Sequence, residues 1–221
     1  MDRINKLSLH RILEIADTLT ESKVENRIYH QGDLLFEENT YVKGLYYLER
    51  GTVLLSTMER TGSEVVVNII GANNFIGFLP IIQKTRLTTT AVVLEDSCRI
   101  KFIPKAIFIE ALKDNRFVNG FIKILAELIT SNENQLLQIK NKSVRERLAL
   151  TLVSLNHAFR KSVRDPTPLI TLKKKDLASM IGVAPETLSR RLADFEKEDL
   201  IELHLKGIKI KDKEQLLLIS E

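Results

Sequence analysis

The spacing of apolar residues changes character twice along the chain. Near residues 4–20, Ile4, Leu7, Ile12, Ile15, Ala16 and Leu19 recur at three-to-four spacing and predict a helix. From about 24 to 104 the texture becomes short β-rich runs, GLYYLERGTVLLS, EVVVNII and TTTAVVLEDSCRIKFI, punctuated by Gly32, Gly44, Gly51, Gly62, Gly71 and Gly77. Strands joined by tight turns in a sandwich or barrel account for such spacing, whether the barrel holds a ligand or is only a packed scaffold. Helical patterning returns from Lys105. The segment Asn115 to Asn141 has no Pro and only one Gly, Gly120, and carries Phe117, Phe121, Ile124, Leu125, Leu128, Leu136 and Ile139 as an apolar stripe, interrupted by polar residues around Ser131 to Gln135. A helix of about 25 residues spans about 40 Å, so a partner helix is its expected cover, with packing on the barrel as the alternative. Phe117, Phe121, Ile124, Leu125 and Leu128 are accordingly read as a dimerisation surface.

A further helix is expected from Ser143 to Phe159, after a hinge at Asn141 to Ser143, followed by the loop RKSVRDPTPLI with Pro166 and Pro168. The stretch from Lys173 to Ile201 is the most informative. Leu177, Ile181, Leu188, Leu192 and Phe195 keep helical spacing on either side of Gly182. Gly182 stands where the first helix must stop, because the turn needs a residue that tolerates positive φ. Pro185 suits the first turn of the second helix, where a missing N–H leaves no bond unmade, and Ala178 is small where two helices cross. The pattern predicts a helix-turn-helix, whose second helix enters the DNA major groove. Downstream, LIELHLKGIKIKD alternates around Lys206-Gly207 and predicts a β-hairpin wing.

Charge reinforces that reading. Residues 140–221 hold 17 Lys+Arg against 12 Asp+Glu, whereas residues 1–139 are balanced at 16 against 17. The excess positive charge thus lies with the helix-turn-helix, as a phosphate-binding surface requires. With 44% hydrophobic and 28% charged residues, the 221-residue chain has ample material for a core and a solvated surface. No apolar run approaches the roughly 20 residues of a membrane span, and charges interrupt the apolar stretches of the first residues, so a cytoplasmic protein without a membrane partner is expected. The single cysteine, Cys98, excludes an internal disulfide and a four-cysteine metal or iron–sulfur site within one chain. No GxxxxGK[ST], GxSxG, HExxH or His/Cys metal cluster occurs, and no enzyme activity is expected.

Taken in order, β-barrel, long helix and winged helix-turn-helix, the chain resembles the Crp/Fnr family of bacterial transcription regulators. The resemblance rests on Gly32-Asp33, Gly44 to Val53 and Gly62 to Gly77 in the first half, and more specifically on SVRERLALTL, DLASMIGV, PETLSRRLADFEKEDLI and the wing in the second. It implies an α+β fold: an N-terminal double-stranded β-helix (a jelly-roll of the cyclic-nucleotide-binding type) with its N-terminal helix over 1–114, a dimerisation helix over 115–141, and a winged helix-turn-helix over 142–221. It also implies a homodimer that binds a pseudo-palindromic promoter site and acts on RNA polymerase, under control of a small effector.

Glu186, Ser189 and Arg190 fall at i, i+3 and i+4 on one helix face, where the family places its Glu-x-x-Ser/Gly-Arg recognition pattern. Glu accepts from cytosine N4, Arg forks onto guanine O6 and N7, and Ser bonds a base edge or phosphate. Ser at the middle position implies TTGA-like half-sites. Glu186 would also suit the positive end of the helix dipole with no DNA present. Lys173, Lys174 and Lys175 open the first helix, where lysine is a poor N-cap and cations are unfavourable, so they are assigned to phosphate. Thr187, Arg191, His204 and Lys206 complete the expected phosphate contacts.

The effector end departs from the family pattern. Cyclic-nucleotide-binding members carry a Gly-Glu pair for the ribose and an Arg-Ser/Thr-Ala for the cyclic phosphate. Here Phe78 follows Gly77, and Leu87 stands in the arginine's place with Arg86 one residue off, a slip that turns a strand side chain to the other face. Gly77, Phe78, Arg86, Thr88 and Thr89 mark where a pocket would lie, but cyclic AMP or GMP is not the expected ligand; a cyclic-nucleotide-switched sensor is the alternative function. The cysteines of an iron–sulfur sensor are missing from the N-terminal region, and Cys98 reads as a buried thiol. His10, His30 and His157 are isolated, so haem is neither assigned nor excluded, and no cofactor or metal is expected.

Overall fold

The computed structural model describes residues 2–17, 23–160 and 167–220. Helix α1 (Asp2–Ala16) leads into two antiparallel four-stranded sheets. One is ordered β1 (Glu25–Tyr29), β8 (Cys98–Pro104), β3 (Gly44–Arg50), β6 (Asn74–Ile76). The other is ordered β2 (Leu34–Phe36), β7 (Thr90–Val93), β4 (Val53–Met58), β5 (Glu64–Ile70). Strands consecutive in sequence pass from one sheet to the other, except β4 and β5, which pair as a hairpin in the same sheet, and this makes the jelly-roll expected from the turn spacing.

The interior of the roll is filled by side chains from both sheets. Leu35, Tyr46, Leu48, Val53, Ile76, Ala91, Val93, Cys98, Ile100 and Phe102 form one cluster. The Tyr46 hydroxyl donates to the Leu35 carbonyl at 2.9 Å, and burial pushes this phenol up to about 12. Cys98 is likewise fully buried, its thiol pushed up to about 12 by desolvation, so it is an inert core residue.

Helices α3 (Lys105–Ala111) and α4 (Asn115–Asn141) follow the roll, after the short α2 (Leu79–Gln83), which the sequence pattern did not anticipate. Leu9, Ile12, Ile15 and Ala16 of α1 pack with Ile107, Phe108 and Ala111 of α3 and with Phe117, Phe121 and Ile124 of α4. Phe108 meets Phe117 and Phe121 edge-on at 6.0 and 5.4 Å, and Phe78 meets Phe121 edge-on at 5.2 Å, all favourable quadrupole geometries. This corrects the reading of the dimer stripe. Phe117, Phe121 and Ile124, at 1, 3 and 2% exposure, belong to the chain's own core, because α1, α3 and Phe78 cover them. Leu125 and Leu128 are half-buried against the same cluster. Among the described residues of the helix, the large apolar side chains left uncovered are Ile122 and Ile129, at 55 and 59% exposure. The side chains of Ile4, Leu7, Leu136 and Ile139 lie outside the described residues, as do Leu19 and the loop residues 161–166.

Beyond α4 the chain forms α5 (Val144–Ala158), α6 (Lys174–Ile181), α7 (Pro185–Lys197), the hairpin β9 (Ile201–His204) and β10 (Gly207–Ile210), and a terminal α8 (Lys213–Ser220) that the sequence reading missed. A capping box starts α5: Ser143 Oγ accepts from the Glu146 N–H, and the Glu146 carboxylate accepts from the Ser143 N–H. Leu148, Leu152, Leu155, Leu177, Ile181, Leu188, Leu192, Phe195 and Leu216 build one core, and Leu54, Val66 and Ile69 of the roll belong to it. At this junction Gly71 approaches the α5 terminus so closely that a Cβ would lie 2.5 Å from the Ala158 carbonyl oxygen. Among the described residues no helix is long and apolar enough to cross a membrane.

Ion pairs fasten the helices. Asp114 caps α4 by accepting from the Phe117 N–H at 2.8 Å, and its other oxygen takes Arg11 of α1 at 2.5 Å. The Arg11 guanidinium, with help from that N–H, holds the Asp114 carboxyl well below the usual carboxylate range. Arg145 does the same, to a smaller degree, for Glu198. A carboxylate whose folded pKa lies below its unfolded value of about 4 contributes stability that is complete above that value and lost as pH falls through the folded one. The Tm should therefore decline as pH drops below about 4. In Asp114→Asn, calorimetry should find a lower Tm at neutral pH and a shallower acid decline.

Candidate nucleic-acid interface

The helix-turn-helix forms because its two short helices share one apolar seam. Leu177, Ala178 and Ile181 of α6 face Leu188, Leu192 and Phe195 of α7, and each of these is at most 4% exposed. Gly182 ends α6 at φ 68°, the left-handed conformation its position demanded, and its N–H returns to the α6 carbonyls. Pro185 opens α7.

Burial of Leu188, Leu192 and Phe195 fixes the rotation of α7 about its axis. Glu186 and Arg190 are exposed on the opposite side, with Thr187 and Ser189 half-buried beside them. No ion-pair partner engages Glu186 or Arg190 among the described residues. Arg191 differs: its guanidinium lies 3.4 Å from Asp194, an exposed i,i+3 pair of small energetic weight.

Neither helix has a side-chain cap at its N-terminus, where Lys173 and Ala184 stand. The first N–H groups of each therefore keep their partial positive charge facing outward, the arrangement that favours an anion. Lys173, Lys174, His204 and Lys206 line one cleft with Thr171 and Leu203, facing Gln31 of the roll. The structure thus gathers these four from α6 and the wing. Lys175 points elsewhere, with its Nζ 3.6 Å from Glu64 of β5. His204 Nε2 lies 3.5 Å from Glu202 on its own strand.

Two positioning residues escaped the sequence pattern. Arg145 of α5 donates to both carboxylate oxygens of Glu198, at 2.7 and 2.5 Å, and its guanidinium lies over the Phe195 ring at 4.9 Å. It thereby ties the end of α7 to α5. The partners are 53 residues apart, so no local spacing signals the pair.

Of the five residues marked as an effector pocket, Phe78 and Arg86 are engaged within the chain. Phe78 is 5% exposed and packs on Phe121, while Leu87 is buried at 3%. Arg86 is exposed; it donates to the Asn39 carbonyl at 2.8 Å and lies over the Tyr41 ring at 4.7 Å. Gly77 holds φ 84° in the turn before Phe78; Thr88 is exposed and Thr89 half-buried. His10 and His30 are exposed and lie near Glu14 and Asp33. Among the described residues no group of three His, Cys, Asp or Glu side chains is placed to hold a metal ion.

Comparison with known proteins agrees with this architecture. Residues 26–115 match the cyclic nucleotide-binding domain, and residues 146–219 match the Crp-like helix-turn-helix domain. The fumarate and nitrate reduction regulatory protein of Yersinia pestis is 26% identical over 211 residues, covering 94% of this chain and 82% of that protein. Two solved structures share the fold. A Crp/Fnr-family transcriptional regulator from Thermus thermophilus superposes with a TM-score of 0.73 at 15% identity, covering 89% of this chain and 98% of that one. FixK2 from Bradyrhizobium japonicum superposes with a TM-score of 0.74 at 14% identity, covering 90% and 98%. With both of its halves matched in the order of that family, the chain belongs to the Crp/Fnr family of DNA-binding transcription regulators.

Proposed function

We propose that the chain works in the cytoplasm as a homodimer, reading a pseudo-palindromic promoter site through α7 and acting on transcription by contact with RNA polymerase. The observation that carries this reading is the α7 face where exposed Glu186 and Arg190, without ion-pair partners among the described residues, flank half-buried Ser189 opposite a buried apolar seam. In the major groove Glu186 accepts from a cytosine amino group, Arg190 forks onto guanine, and Ser189 reaches a base edge or a phosphate. TTGA-like half-sites fit this set. Lys173, Lys174, Lys175, Thr187, Arg191, His204 and Lys206 hold the backbone on either side, and the uncapped N-termini of α6 and α7 assist.

In this reading residues 1–114 form the sensor-type roll, 115–141 the dimer helix and 142–221 the DNA-binding unit. The dimer face is Ile122 and Ile129, at i and i+7 on α4, flanked by Leu125 and Leu128. A second copy would remove both isoleucines from water and set two recognition helices on successive turns of DNA. Phe78 and Leu87, buried where a ribose and a cyclic phosphate would need polar partners, argue against cyclic-nucleotide control.

Three measurements test these points. Against a duplex selected from random sequence, Arg190→Ala should cost roughly 1–3 kcal/mol and relax preference at one base pair, whereas Lys174→Ala should weaken all sequences alike and flatten the salt dependence by about 1. An Arg190→Ala protein that binds the selected site as tightly as wild type would refute the base contact. Ile122→Glu combined with Ile129→Glu should shift sedimentation from dimer to monomer and abolish binding to the palindrome; a persistent dimer places the interface elsewhere. Calorimetry with cyclic AMP should register no saturable heat, and a saturable isotherm would favour the nucleotide-switched alternative.

A further inference from the structure

We propose that, in the DNA-free protein, the edge of the roll restrains the helix-turn-helix, with Glu64 holding Lys175 in the place of a DNA phosphate. The proposal rests on the assignment of Lys175 to phosphate made above.

Strand β5 is the outermost strand of its sheet, so its outward N–H groups have no strand partner. Helix α6 covers that edge. The Val66 N–H donates to Ser179 Oγ at 3.2 Å, and the Val66 and Ile69 side chains, at 7 and 9% exposure, join the core of the DNA-binding unit. One edge hydrogen bond and a patch of apolar burial therefore fix how α6 lies on the roll.

The charges follow from that docking. Glu64 is the first residue of β5, and its Oε1 accepts from Ser56 Oγ at 2.9 Å, a hydroxyl on β4 that is 2% exposed. With one oxygen held, the other lies 3.6 Å from Lys175 Nζ. Asp176, beside Lys175, is half-buried at the same junction, and desolvation pushes its carboxyl up against the opposing pull of Lys175 and Lys173, with Glu64 adding slightly to the rise. The roll thus brings negative charge to the N-terminus of α6, where the backbone of DNA is expected. The Glu64–Lys175 pair is well exposed, at 42 and 62%, and adds little to folding stability. Its consequence is for binding. A lysine already neutralised by a carboxylate must exchange that partner for a phosphate, and it then contributes less to counterion release.

The full-length dimer, titrated with the selected palindromic duplex by fluorescence anisotropy across a salt series, distinguishes the possibilities. Glu64→Gln should bind about two- to five-fold more tightly at low salt, with log K falling more steeply against log salt by up to about 0.9 per half-site. In a Lys175→Gln background the same change should yield no gain. Ser179→Ala alters no charge but loosens α6 on the strand edge, and should also tighten binding. If Glu64→Gln binds no tighter, or gains as much when Lys175 is already Gln, the carboxylate is not a phosphate substitute and the proposal falls. If Ser179→Ala binds no tighter, the strand edge does not restrain α6. If Lys175→Gln by itself leaves the salt slope unchanged, the phosphate assignment fails and takes this proposal with it. If Lys175→Gln flattens the slope while Glu64→Gln has no effect, only the restraint fails.

Discussion

Much of this molecule depends on one shared apolar junction. Leu54, Val66 and Ile69 of the roll enter the same core as Leu177, Leu188, Leu192 and Phe195 of the helix-turn-helix. Water is excluded there only if α6 lies along β5 and the end of α5 meets Gly71, where a side chain would strike the Ala158 backbone. Burial is non-directional, but a seam of close-packed side chains permits few arrangements. That seam fixes the rotation of α6 and α7, and thereby which residues the chain presents to DNA.

Polar interactions are distributed unevenly over the helix ends. The N-terminus of α4 is capped by Asp114, itself clamped by Arg11, and that of α5 carries a full capping box. The two helix-turn-helix helices have no such side-chain caps, and α6 begins with three cations, each of which its own dipole disfavours. Side-chain caps thus stabilise the helices that carry the scaffold and are missing from those of the helix-turn-helix. An anion supplied from outside would repair both deficits.

The roll is built in the opposite way. Its interior is filled by Tyr46, Leu48, Ile100, Phe102 and their neighbours, and its flank is sealed by the aromatic group of Phe78, Phe108, Phe117 and Phe121. Phe78 links the turn after β6 directly to α4, the helix that also carries Ile122 and Ile129. The roll and the proposed dimer face therefore share a helix, and a change of packing at Phe78 would be felt along it.

Local periodicity determined what it physically can. The seam of α6 and α7, the stop at Gly182, the long α4 and the shared face of Glu186, Ser189 and Arg190 on α7 follow from the 3.6-residue repeat and from which residues tolerate positive φ, and all were legible in the sequence. Non-local contacts decided the rest. Side-chain spacing on α4 marks an apolar stripe but cannot say whether α1 or a second copy covers it, so Phe117, Phe121 and Ile124 proved to be core. The Arg145–Glu198 tie, the Asp114 clamp and the Glu64–Lys175 pair each join residues far apart in the chain, and the terminal α8 carries its apolar residues as one run, LLLI, without helical spacing. A helix face is set by neighbours three and four residues away; what lies against it is set by the fold.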